Sequence, residues 1–113
     1  MNLPVQIILR GIPSSPALET AIRERATRLE HVYEGIINCR VAVEFAGKHK
    51  SQGNEFRVRI AVKLPREEVV VNHDHDEDVY IALRDAFDAV RRKIEEFAAL
   101  KRAGRHRGAE DMV

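Results

Sequence analysis

Cysteine and aromatic residues are scarce in this chain. Of its 113 residues one is Cys, two are Tyr, four are Phe and none is Trp. The single thiol, Cys39, excludes an intramolecular disulfide and fits a reducing compartment. The shortage of rings means that Val, Ile, Leu and Ala must fill the core. It also removes the stacking platforms on which single-stranded nucleic acid is held. No apolar run approaches the roughly 20 residues of a membrane-spanning helix. The opening MNLPVQIILRGIP has no basic start and too short an apolar stretch for a secretory leader, so a cytoplasmic protein without a membrane partner is expected. There is no internal repeat, no P-loop, no G-x-S-x-G and no Gly-rich phosphate cradle. Neither a cofactor, a small-molecule substrate nor an enzyme activity is expected.

What the chain does have is charge. Asp, Glu, Lys and Arg make up 33% of it, yet the formal net charge is only +1. Of the 19 basic residues, 14 are Arg. The planar guanidinium meets phosphate oxygens in two-point contacts that Lys cannot make. A codon bias towards Arg would give the same count, so the composition alone does not choose.

The length suits one domain with one core. Residues 5–10 alternate, with Val5, Ile7 and Leu9 on one side, as in a half-buried strand. Ser15 is a good N-cap and Pro16 fits the first helical position, so a helix is expected over about 16–33 with Gly35 as its stop. Its apolar stripe is Leu18, Ile22, Leu29, Val32 and Tyr33. Residues 37–45 alternate again, with Cys39, Val41, Val43 and Phe45 on one face. Residues 55–64 are the clearest strand, with Phe56, Val58, Ile60, Val62 and Leu64 opposite Arg57, Arg59 and Lys63. A short last strand is expected at 68–72. The stretch HDHDED then leads to a second helix over 78–101, with Asp76 as candidate N-cap. Val79, Leu83, Ala86, Phe87, Val90, Ile94 and Phe97 form its buried stripe. Residues 102–113 carry dense charge and two glycines without apolar period, and read as a mobile tail. The order β-α-β-β-β-α, with one apolar face per element, predicts an α+β fold. Two helices would lie side by side on one face of a four-stranded sheet, leaving its other face polar.

Cys39 falls on an apolar strand face, where an inert thiol is expected rather than a nucleophile. His73 and His75 would point the same way in an extended segment, beside Asp74 and Asp76. A metal site usually draws further ligands from distant parts of the chain, and none is evident, so a polar turn is the simpler reading and no metal is expected. The basic residues say more. Arg25 interrupts the apolar stripe of the first helix and Arg28 flanks it. In the second helix Lys93 lies at one edge of the stripe, with Arg84 and Arg91 on the opposite flank. Arg25, Arg28 and Lys93 are placed to border a groove between the helices that suits phosphates. An ordinary solvated rim with pairs such as Asp88–Arg92 and Arg92–Glu96 is the alternative. Arg10, Arg40, Arg57, Arg59 and Lys63 belong to the polar sheet face, and the tail adds Lys101, Arg102, Arg105 and Arg107. With few aromatics among them, contact with the backbone and shape of structured RNA fits better than base stacking.

The string DEDVYIALRDAFDAVRRKI resembles the ribosome hibernation-promoting factors and ribosome-associated translation inhibitors, once called sigma-factor modulation proteins. Glu77, Asp78, Val79, Tyr80, Ala82, Leu83, Arg92 and Ile94 carry the likeness. In the first helix Leu18, Arg25, Arg28, Leu29 and Glu30 match the family's pattern. The resemblance covers about residues 4–101 and departs at Ala89 and Glu96, where some relatives have Lys. It implies a fold similar to double-stranded-RNA-binding domains. It also implies a non-enzymatic protein that binds the small ribosomal subunit, and whole ribosomes, in the decoding region. There it would inhibit translation under stress or in stationary phase and promote or stabilise idle ribosomes. By position, Arg25, Arg28 and Arg92 would contact rRNA, with Arg84, Arg91, Lys93, Lys101 and Arg102 as further candidates. Residues 1–101 would be the ribosome-binding domain of a short form, followed by the charged tail 102–113. A protein-interaction module that regulates another protein is the competing reading.

Overall fold

The computed structural model describes the backbone of residues 3–49, 53–76 and 78–111, and the side chains of 3–47, 55–73 and 78–102. The elements run β1 (Val5–Arg10), α1 (Pro16–Val32), β2 (Asn38–His49), β3 (Gly53–Leu64), β4 (Glu67–Asp76) and α2 (Val79–Asp111). The expected order and α+β class hold. One four-stranded sheet has the order β1-β2-β3-β4. β1 pairs parallel with β2, while β2–β3 and β3–β4 are antiparallel. β1, β2 and β4 therefore point the same way. Each helix returns along the strand before it, so α1 and α2 run parallel to one another.

Strand alternation decides the layering. Cys39, Val41, Val43, Val58, Ile60, Val62 and Leu64 turn one face inward and are essentially inaccessible. Leu18, Ile22, Ala26 and Leu29 of α1, with Leu83, Ala86, Phe87, Val90 and Ile94 of α2, cover that face. Ala82 is also fully buried, a position the expected stripe omits. The rings of Tyr33 and Phe97 meet edge-on at 6.2 Å where the two helices converge.

Ser15 caps α1 as expected, its Oγ accepting from the Leu18 N–H at 3.2 Å, and Pro16 opens the helix. The helix ends one residue early, at Val32, because Tyr33 adopts extended backbone (φ −151°). Gly35 acts differently from a helix stop: a Cβ there would lie 2.6 Å from the Tyr33 ring, so the glycine makes room for that ring. β2 and β3 extend past the expected bounds into a longer hairpin, with a register shift between Phe45 and Gly47, where Gly47 takes φ 118°.

Two boundaries differ from expectation. β4 does not stop at Asn72 but continues to Asp76, pairing His73 with Val58 and Asp76 with Phe56 across a register shift. Asp76 is thus strand, and the N-cap is Asp78: its Oδ1 accepts from the Tyr80 N–H at 2.9 Å and its carbonyl accepts from the Ala82 N–H at 2.9 Å. At the other end α2 passes Lys101 and continues to Asp111. That stretch contains no proline, and Ala, Arg, Lys and Glu are good helix formers. Gly104 and Gly108 cost only about 1 kcal/mol each relative to Ala.

Candidate nucleic-acid interface

The two outer flanks of the helical layer are fixed by contacts to the sheet edges. Glu30 Oε1 accepts from the Leu3 N–H at 2.8 Å, tying that side of α1 to the start of the edge strand β1. Arg25 and Arg28 lie roughly 140–160° around the helix from Glu30, at about 100° per residue, and so occupy the flank turned towards α2. On α2, Lys93 Nζ donates to the Val70 carbonyl at 3.2 Å. Val70 belongs to β4, the opposite edge strand. Lys93 therefore caps a sheet edge and does not border the groove between the helices. This corrects the expected grouping of Arg25, Arg28 and Lys93. The α2 residues on the other flank, roughly 160–180° from Lys93, are Arg91 and Arg84. The reason for the misplacement is physical: a lysine beside an apolar stripe finds the nearest unpaired acceptor, and an edge strand offers a row of them.

The candidates differ in what neutralises them. Arg84 Nε pairs with Asp85 at 3.1 Å and Arg91 Nε pairs with Glu95 at 2.8 Å, both on open surface. The expected Asp88–Arg92 and Arg92–Glu96 pairs do not form among the described residues. Arg25, Arg28, Arg92, Lys101 and Arg102 have no carboxylate partner among the described residues. Arg25 is half-buried and Arg28 and Arg92 are exposed. Half-burial lets the Arg25 stem pack on the layer while its head stays in solvent. Arg92 sits about 160° around α2 from the buried Val90 and points directly outward. The outer face of α2 also holds a shallow depression lined by Asp85, Asp88, Arg91, Arg92 and Glu95, which is mixed in sign.

The open face of the sheet is a second basic surface. Strand register sets Arg10, Glu44 and Arg57 in one row, and Ile8, Ala42, Arg59 and Asn72 in the next. Arg40 and Lys63 follow towards the other end, the former beside Ala61. Arg10, Arg40, Glu44, Arg57, Arg59 and Asn72 rim an open basin of about 400 Å³, and Lys63 lies beyond it.

No group of three or more His, Cys, Asp or Glu among the described residues is arranged to hold a metal. His73 lies in β4, and the His75 side chain is outside the described residues. Cys39 is fully buried, and burial alone pushes its thiol up from 9.0 to about 12, so it stays protonated and unreactive. No described helix is long and apolar enough to cross a membrane.

Known proteins share this arrangement. The chain is 26% identical to the N-terminal domain of Thermus thermophilus Protein Y, with a TM-score of 0.70 over 86% of this chain and 99% of that one. A ribosomal subunit interface protein from Coxiella burnetii has the same fold, with a TM-score of 0.64 at 20% identity, covering 89% of this chain and 99% of that one. No curated protein matches in sequence. Residues 5–101, which take in the whole sheet, α1 and the packed part of α2, match the family described as sigma 54 modulation protein / S30EA ribosomal protein. The basic two-layer domain built above is the domain of that family, and this chain belongs to it.

Proposed function

We propose that this protein binds the small ribosomal subunit through its rRNA, occupies the decoding region and holds ribosomes idle. The observation that carries the reading is the family match over residues 5–101. The likeness to the Protein Y domain supports it. So does the presence of Arg25, Arg28 and Arg92 on the helical side without carboxylate partners among the described residues. Occupying the site of mRNA and tRNA would inhibit initiation by competition, with no bond made or broken. The protein acts as a cytoplasmic binder whose ligand is phosphate backbone in a folded RNA. Arg25, Arg28 and Arg92 are the principal contacts in this proposal, and Arg84, Arg91, Lys93, Lys101 and Arg102 add to the field around them. Residues 1–101 serve as the binding domain, with 102–113 as an appended charged segment.

Co-sedimentation with ribosomes on sucrose gradients tests the proposal. Wild-type protein is expected to travel with the small subunit or whole ribosome at low salt and to be released at high salt, because each neutralised phosphate releases counterions. Arg25→Glu with Arg28→Glu is expected to remove binding while circular dichroism remains native. A protein that stays at the top of the gradient at every salt defeats the proposal. Unfolding of the double variant would make Arg25 a packing residue instead.

A further inference from the structure

The open face of the sheet has the electrostatics of a binding surface but lies on the opposite side of the molecule from Arg25, Arg28 and Arg92. Arg10, Arg57, Arg59 and Lys63 have no carboxylate partner among the described residues. Arg40 alone is paired, to Glu68 at 3.4 Å, with 53% and 41% of the two side chains exposed. Glu44 stands in the row between Arg10 and Arg57 and leaves that row net positive. Arg57 and Arg59 are two residues apart on β3, so their roots are separated by roughly 7 Å on the same face. Between the arginines the floor is apolar, made by Ile8, Ala42 and Ala61. None of the residues lining the basin is aromatic.

We infer that this face is a second RNA-backbone site, so that the protein is held between two separate RNA segments, one on each layer. The inference rests on the ribosomal reading given above and deepens it. Three features select phosphate backbone as the occupant. The face is net positive, with five cations against Glu44 and Glu68, and the cations are mostly Arg, whose fork suits phosphate oxygens. The absence of rings removes base stacking, leaving backbone contact. It also removes the aromatic and Met anchors that concentrate affinity in protein–protein interfaces. The layered architecture supplies the bridging: the sheet and the helices over it separate the two basic surfaces, and a single RNA helix cannot lie against both.

The test uses Arg57→Gln with Arg59→Gln, both exposed residues, beside Arg57→Lys with Arg59→Lys. Affinity for purified small subunits is measured across a salt series. The Gln variant is expected to bind at least about tenfold more weakly at low salt than wild type. Its slope of log affinity against log salt is expected to fall by about 1 for each phosphate that the variant no longer neutralises. The Lys variant keeps the slope and gives up only part of the affinity, while all three proteins unfold at the same urea concentration. If wild type and the Gln variant bind subunits with equal affinity and slope, the second site is wrong and the ribosomal reading stands. If wild type does not bind subunits, that reading fails, and a short RNA duplex at low salt then decides the sheet face by itself. Two duplexes per wild-type protein and one per Gln variant uphold it; equal stoichiometry and affinity overturn it. Recovery of an acidic protein partner by wild type but not by the Gln variant, after nuclease treatment, also overturns it.

Discussion

The helical layer and the open sheet face carry charge in different ways. On α2, Arg84 and Arg91 are each tied to a neighbouring carboxylate, and Asp88 and Glu96 stand close by. The open sheet face sets Arg10, Arg40, Arg57, Arg59 and Lys63 against Glu44 and Glu68, and of these cations Arg40 is held by Glu68. Both surfaces belong to a chain whose formal net charge is +1. Net charge therefore says little about a partner, because the balance of signs differs from one surface to the next. Charges within a Debye length of about 8–10 Å reinforce or cancel one another before a ligand arrives. On the sheet the cations outnumber the carboxylates, leaving a net positive field spread over several strands. On the helices they largely cancel, so that the few arginines without a carboxylate beside them define where contact is made.

Both faces rest on one hydrophobic core. Leu83 is wholly inaccessible and packs between the layers. Leu83→Ala is expected to lower stability by about 2–5 kcal/mol through reduced burial and the cavity left behind. Because one core underlies both faces, far-UV and near-UV circular dichroism are expected to show a single urea transition moved to lower concentration. Two separated transitions would mean that the layers are independent units. A smaller change touches one face only. Asp78 caps α2 through the Tyr80 and Ile81 N–H groups. Asp78→Ala is expected to cost about 0.5–2 kcal/mol, whereas Asp78→Asn keeps most of the cap. The salt slope contributed by Arg57 and Arg59 should be unchanged in either variant. A change in that slope would show that the faces communicate.

Much of this architecture is legible in the sequence, for local reasons. Alternation at Val5–Leu9 and Phe56–Leu64, and the Ser15–Pro16 start of α1, depend on near neighbours and appear as expected. The segment HDHD misleads, because its polarity suggests a turn. It becomes strand through pairing with Phe56 and Val58, a contact between distant positions. Asp76 and Asp78 are equally good caps by type, and only the end of that pairing chooses between them. In the candidate site the sequence shows the residue types but not their company. Arg25 and Arg28 share a helix flank by spacing alone. Lys93 resembles their partner on the helical wheel, because the carbonyl it finds, Val70, becomes available only once β4 is an edge. Strand parity puts Arg40, Arg57 and Arg59 on one face, yet their gathering with Arg10 around one basin requires the strand order. Ion pairing on α2 is off by one position, since Asp88, Arg91, Arg92, Glu95 and Glu96 permit several i,i+4 combinations of similar energy.

That near-degeneracy gives the smallest and sharpest test of the difference between the faces. The Arg91–Glu95 pair is 62% and 52% exposed, so breaking it should cost only about 0.3–0.5 kcal/mol. Glu95→Gln removes one negative charge and releases Arg91, making this part of the helical layer resemble the sheet. If pairing is what mutes α2, the variant should bind small subunits about two- to fivefold more tightly at low salt, and the gain should vanish as salt screens it. The same substitution made with Arg91→Gln should show no gain, since the freed guanidinium is then absent. An unchanged affinity in Glu95→Gln would mean that Arg91 faces no phosphate and that contact on this side is confined to Arg25, Arg28 and Arg92. A gain that persists in the double variant would mean instead that the carboxylate itself repels the RNA. The limit on the helical face would then be Glu95 and its neighbours, not the pairing of Arg91.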